Sequence, residues 1–214
     1  MSANPHLQYP TLASGPAPEA QGGAAILIHG RTQSPADMLA ITARINLPDI
    51  PYFAIQAAQH SWYPDKFMAP LENNQPALDF ALARLEAAVV ELENRGIARS
   101  RIVLIGFSQG ACLACEYLYR HPHRWGGLIA FTGGLIAPPG TSWLTPDKLA
   151  GTPVFFGNSE ADPWVPLART EETAEVFRRM GAEVELQVYN GRGHEVGDEE
   201  IALGRDLLQR TLGL

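Results

Sequence analysis

Apolar residues in this chain fall into two patterns that alternate along its length. Short unbroken runs stand at Ala24-Ala25-Ile26-Leu27-Ile28, Ile102-Val103-Leu104-Ile105, Gly127-Leu128-Ile129-Ala130-Phe131 and Pro153-Val154-Phe155-Phe156. Runs of that length, without polar alternation, suit strands buried on both faces of a parallel sheet. Between them the apolar positions recur at helical spacing. Leu78, Leu82, Leu85, Val89 and Leu92 make one stripe, opened by Pro76 and closed by Gly96. Ser34 followed by Pro35 is a helix start, with a capping side chain and a proline at the first helical position. Further helices are expected from about Leu167 to Met180 and from about Asp198 to Thr211. Further strands are expected within Pro51 to Ala57 and over Val184 to Tyr189. Strand and helix in turn predict the α/β class: a single domain, its sheet mostly parallel, with helices on both faces. No separate cap domain fits in the length.

Two stretches lie outside that rhythm. Residues 1–23 are rich in Pro, Gly, Ala and Ser and read as an irregular arm before a domain over residues 24–214. Leu7-Gln8-Tyr9 could add a short edge strand there. The segment from Ala58 to Gln75 has no period and holds His60, Trp62, Tyr63 and Phe67. Loops of that length are uncommon unless they serve a function.

Composition narrows the partners. The 214 residues are 46% apolar and 18% charged, as in a globular protein that buries a sizeable core. A net charge of -7 with no basic stripe argues against nucleic acid and against anionic membrane surfaces. The first residues lack the charged and apolar regions of a signal peptide, and no apolar run reaches membrane-spanning length. A cytoplasmic protein without a membrane anchor is expected. A homodimer stays open. Cys112 and Cys115 are the two cysteines, spaced C-x-x-C. They share one face of an expected helix and have no second pair to complete a zinc site, so they read as a core pair.

The chemistry is concentrated where strands end. The run from Arg101 leads into Gly106-Phe107-Ser108-Gln109-Gly110, and a helical pattern follows at once. Strand, tight turn and helix are the context of a nucleophile elbow, which lifts a serine hydroxyl above the sheet. Asp162 follows the strand at Pro153–Phe156, and His194 follows the last strand between Gly193 and Glu195. Ligands of a parallel sheet sit at those carboxyl ends. A serine needs a base to take its proton, a histidine can be that base, and a carboxylate orients the histidine. Ser108, Asp162 and His194 occur in the chain order of an α/β-hydrolase. Glu160 is a rival acid on the same loop and ranks below Asp162. The oxyanion donors expected are the backbone N–H groups of Gln109 and of Arg31, the latter on the loop after the first long strand. His29 reads as a loop-stabilising residue. Trp62, Tyr63 and Phe67 are expected to wall the site, and Leu135, Ile136 and Trp143 to line an acyl groove. The sequence shows no metal cluster, no phosphate loop and no cofactor fingerprint.

The segments IHGRT, AAQHSWYP, GFSQGACLACEY, TGGLI, FFGNSEADPWVP and GRGHEV, in that order, resemble the phospholipase/carboxylesterase family of α/β-hydrolases. The likeness runs from about Ala25 to the C-terminus. It implies Ser108 as nucleophile, His194 as base, Asp162 as acid and backbone donors at Arg31 and Gln109. Thr32 stands where that family commonly has glycine. SWYPDKF and TGGLI look like its small bacterial esterase branch. The expected activity is therefore a serine carboxylesterase acting on small or medium acyl esters, without a cofactor. A thioesterase or lysophospholipase on the same fold is the alternative, and a non-catalytic binding protein the more distant one.

Overall fold

The computed structural model describes residues 3–146 and 148–213. Seven strands form one sheet: β1 (Leu12–Ser14), β2 (Ala24–Ile28), β3 (Tyr52–Ile55), β4 (Ile102–Phe107), β5 (Gly127–Phe131), β6 (Pro153–Ser159) and β7 (Glu183–Tyr189). Their order across the sheet is β1-β3-β2-β4-β5-β6-β7. Only the β1–β3 pair is antiparallel. The helices are α1 (Pro18–Gln21), α2 (Pro35–Ile45), α3 (Ala77–Asn94), α4 (Gln109–Arg120), α5 (Leu167–Arg179) and α6 (Asp198–Leu212).

Successive strand residues point to opposite faces, so an unbroken apolar run feeds two cores. Ala24, Ile26 and Ile28 of β2 join the core beneath α3, α4 and α5, while Ala25 and Leu27 join the core beneath α2 and α6. The other central strands divide their residues in the same way. At the start of α2 the Ser34 N–H and hydroxyl both donate to Asp37 Oδ2, at 2.8 and 2.7 Å. Between β5 and β6 no helix or strand occurs among the described residues, so no cap rises over the sheet there.

The arm departs from expectation. The edge strand falls at Leu12–Ser14, paired with β3, and not at Leu7-Gln8-Tyr9. Asn4 and Pro5 explain the shift. The Asn4 side chain accepts the His6 N–H at 3.0 Å and donates to Phe80 O at 2.8 Å, and Pro5 opens a 3₁₀ turn over Pro5–Gln8. The arm is thus ordered, with a strand and the single helical turn α1.

The sheet has one topological switch point. From β2 the chain moves outward to β3, then returns to the other side of β2 for β4. A crevice opens at such a point beyond the carboxyl ends of the strands. Ser108 follows β4 and the turn holding Arg31 follows β2.

Candidate active site

Ser108 occupies the turn between β4 and α4 with φ 54° and ψ -120°. A non-glycine residue there stores about 1–3 kcal/mol of strain and must be held. Its N–H donates to Phe131 O of β5, and its carbonyl accepts the Cys112 N–H, both at 3.0 Å. The flanking glycines make the turn possible. A Cβ on Gly106 would lie 2.6 Å from Ala111 Cα, and one on Gly110 would lie 2.1 Å from Ile28 O. The half-buried hydroxyl stands at the N-terminus of the twelve-residue α4, where the helix dipole favours negative charge.

His194 Nε2 lies 2.8 Å from Ser108 Oγ, and His194 Nδ1 lies 2.7 Å from Asp162 Oδ2. A carboxylate only accepts, so Nδ1 carries the proton and Nε2 is free to accept from the serine. The Asp162 side chain is fully buried. Burial alone would raise its pKa. Hydrogen bonds from His194 and from the Val165 and Trp164 N–H groups outweigh that and hold it below the ordinary carboxylate value. Both N–H groups donate to Oδ1 at 2.8 Å. Phe107 packs beside the imidazole with ring centroids 5.0 Å apart. The exposed Glu160 side chain takes no part in this chain of bonds.

A cavity of about 630 Å³ opens over Ser108 and His194. Ligand pockets usually measure about 300–1,000 Å³. Its apolar walls include Tyr63, Phe67, Trp164 and Val165, with Arg31 and Gln109 beside the serine. The segment from Ala58 to Gln75 forms one wall with two short 3₁₀ turns, Ala58–His60 and Leu71–Asn74, and side chains hold the rest. Gln109 Oε1 accepts the Trp62 N–H at 2.9 Å, and its Nε2 donates to Tyr63 O at 2.8 Å. The Arg31 guanidinium donates to Tyr63 O, Pro64 O and Asp65 O at 2.7–3.0 Å. Buried Asn74 accepts the Asp65 N–H at 2.8 Å and donates to Lys66 O at 3.0 Å.

A family model described as phospholipase/carboxylesterase matches residues 19–211. The chain belongs to the phospholipase/carboxylesterase family. A phospholipase/carboxylesterase of Dyadobacter fermentans superposes with a TM-score of 0.87 at 38% identity, over 93% of this chain and 95% of that one. The carboxylesterase of Bacillus cereus superposes with a TM-score of 0.73 at 20% identity, over 94% and 93%, and so shares the fold. Acyl-protein thioesterase 1 of Saccharomyces cerevisiae is 30% identical over 135 residues, 62% of this chain and 59% of that protein. The chain spans about half the length of the thioesterases it matches.

Within this family architecture, several expected site residues lie elsewhere. Tyr63 and Phe67 do line the cavity, but Trp62, Leu135, Ile136 and Trp143 are not among its lining residues. Trp62 is fully buried, its Nε1 donating to His29 O at 2.8 Å and its ring packed against His6 and His29. The other three are drawn towards α4 and α5. The Leu135 N–H donates to Thr173 Oγ1 at 2.9 Å, the Ile136 N–H to Glu116 Oε2 at 3.1 Å, and Trp143 Nε1 to Glu172 Oε1 at 3.2 Å. Trp164 was not anticipated from the sequence. It is 67% exposed at the cavity, next but one to Asp162. Its place next but one to Asp162 was the one available signal.

His29 is buried, its Nδ1 2.7 Å from Gly30 O, and its Nε2 accepts the Ala57 N–H at 3.0 Å. Burial lowers its pKa, as suits a neutral ring bracing a loop. Thr32 sits at φ 67°, in the left-handed region that favours glycine. Its N–H donates to His60 O at 2.8 Å. Cys112 and Cys115 are buried, and burial pushes the Cys112 thiol up to about 12 and Cys115 well above its ordinary value. Neither is a ready thiolate. Among the described residues no three His, Cys, Asp or Glu side chains gather as metal ligands, and no helix is long and apolar enough to cross a membrane.

Proposed function

We propose that this chain hydrolyses carboxylic esters of small or medium acyl groups through an acyl-enzyme on Ser108. The observation that carries the reading is the hydrogen-bonded line Ser108–His194–Asp162 at 2.8 and 2.7 Å, opening on a cavity. His194 Nε2 takes the Ser108 proton as Oγ bonds to the ester carbonyl carbon. Asp162 stabilises the imidazolium and keeps the useful tautomer. The tetrahedral intermediate collapses when Nε2–H protonates the leaving alkoxide and the C–O bond breaks. Water repeats the sequence to free the acid.

The carbonyl oxygen needs two donors. Gln109 is the first residue of α4, and a helix leaves its first N–H groups without partners inside the helix. In the turn after β2 the Gly30 N–H is taken by Gln33 Oε1 and the Thr32 N–H by His60 O. Arg31 supplies the intervening N–H. One donor of this kind is worth about 10²–10³ in turnover.

Chain length follows from the walls. Each buried methylene contributes about 0.8 kcal/mol, and those beyond the cavity stay in water and contribute nothing. kcat/KM on p-nitrophenyl esters should therefore peak at a short or medium chain. A fluorophosphonate should label Ser108, and Ser108→Ala should lower turnover by about 10⁶-fold. Near-normal hydrolysis by that variant would overturn the reading. The names of the thioesterase relatives favour a second substrate class on the same machinery. Turnover on matched oxygen esters and thioesters separates the two.

A further inference from the structure

The loop that carries His194 is closed at its base by an ion pair between half-buried Arg192 and buried Glu200. Arg192 Nη1 lies 2.7 Å from Glu200 Oε2. Glu200 stands in the first turn of α6 and is fully buried. The same Oε2 accepts the Gly197 N–H at 2.9 Å. One carboxylate oxygen thus ties residue 192 to residue 197, on either side of His194.

The surroundings are shaped for this pair. A Cβ on Gly157 of β6 would lie 1.9 Å from Glu200 Oε1, so only glycine leaves room for the carboxylate behind the strand. The Arg192 guanidinium carbon also lies 4.0 Å over the Tyr189 ring at the end of β7. Burying two charges is a poor way to gain stability, since apolar residues of similar volume do as well or better. The His194 loop supplies a different reason. Gly191, at φ 68°, and Gly193 precede the histidine, and backbone of that kind does not fix a ring by itself. Yet the imidazole must meet Asp162 at 2.7 Å and Ser108 at 2.8 Å together. Such constellations must be held to within about 0.5 Å by supporting residues.

We propose that Arg192 and Glu200 are positioning residues that clasp the His194 loop and so set the imidazole between Asp162 and Ser108. This rests on the reading of His194 as the base. Neither residue lines the cavity.

The test compares Arg192→Met, Glu200→Gln and the double variant in the full chain. Each single change leaves a buried group without its partner and should lower the thermal midpoint. The double variant is neutral and should regain much of that midpoint. Its kcat should nevertheless stay about 100-fold below wild type, the scale of a misplacement near 1 Å, with KM unchanged. The downfield proton resonance of the His194 Nδ1–H, sharp in the wild type, should broaden or move upfield. A double variant with wild-type kcat and an unaltered resonance would overturn the proposal. So would a kcat that simply tracks the midpoint across all three. If the double variant does not fold, Glu200→Asp carries the test, because it keeps the charge and shortens the reach by one methylene. It should lower kcat without raising KM, and an unchanged kcat would overturn the clasp. The resonance does not depend on turnover. A wild type that fluorophosphonate fails to label would refute the esterase reading while leaving the clasp testable by that signal.

Discussion

Asp162 divides its two oxygens between two tasks. Oδ2 meets His194, and Oδ1 holds the Trp164 and Val165 N–H groups. Asp162→Asn keeps an acceptor for the loop but favours the wrong imidazole tautomer. It should lower kcat by about 10⁴-fold with the fold intact. Glu160→Gln should leave the rate unchanged, and a larger loss from the glutamate would mean the acid is misassigned. The two tryptophans should part in the same manner. Trp62→Ala empties a fully buried site and should destabilise by about 3–5 kcal/mol, read from denaturant unfolding. Trp164→Ala should raise KM for ester substrates and leave stability within about 0.5 kcal/mol, as for an exposed side chain. That Ser108, Asp162 and His194 come together could be read from the sequence, because the candidate chemistry restricts residue type and the sheet restricts position. Trp62 could not be told from Trp164, since nothing local says which tryptophan a folded loop turns inward. That depends on His6 and His29, which lie far away in sequence.

At the scale of elements, the central strands were legible as short unbroken apolar runs and the helices as apolar stripes at helical spacing. β6 shows where that stops. It continues past Phe156 through Gly157, Asn158 and Ser159, which pair with Gln187, Val188 and Tyr189. Buried Asn158 belongs there because its Nδ2 reaches Val165 O at 3.1 Å and Thr170 Oγ1 at 2.8 Å. No hydropathy pattern announces such a residue. The wall over Ala58 to Gln75 was equally silent, since its order comes from the side chains of Gln109, Arg31 and Asn74. Gln109→Ala should expose that dependence. It keeps the backbone N–H but leaves the Trp62 N–H without its partner, while the Tyr63 carbonyl keeps its bonds from Arg31 and Ser61. The loss should be about 1–3 kcal/mol. In a domain of this size that lowers the midpoint by about 2–4 °C per kcal/mol. Proteolytic nicking within residues 58–75 should quicken. An unchanged midpoint with unchanged nicking would show that the wall holds itself.

Over the whole molecule, the arm and the sheet meet behind the Arg31 turn. His6 Nδ1 accepts the Ala58 N–H at 2.9 Å, and His29 Nε2 accepts the Ala57 N–H at 3.0 Å. Both rings flank Trp62, and each needs a free lone pair to accept. Protonating either would turn two donors on one another. Burial, more than any neighbour, pushes both pKa values below the ordinary 6.5, with Arg84 adding to the effect at His6. The unfolded chain therefore binds protons first as pH falls. Stability from these two groups is complete above about 6.5 and drains away as pH drops from there towards their folded values. Glu116 and Glu200 pull the other way. Burial raises both, so they favour the fold most in acid and least once pH has risen through their folded values. In the unfolded chain the histidines titrate nearest neutrality, at about 6.5, and their proton uptake should set the slope just below it. The wild-type midpoint should fall between pH 7.5 and 5.5. It should fall less in His6→Asn, whose Oδ1 can still accept the Ala58 N–H but cannot take a proton. Equal slopes in the two proteins would mean that the His6 contact is indifferent to charge. A wild-type midpoint that rose on acidification would mean that the buried glutamates outweigh both rings.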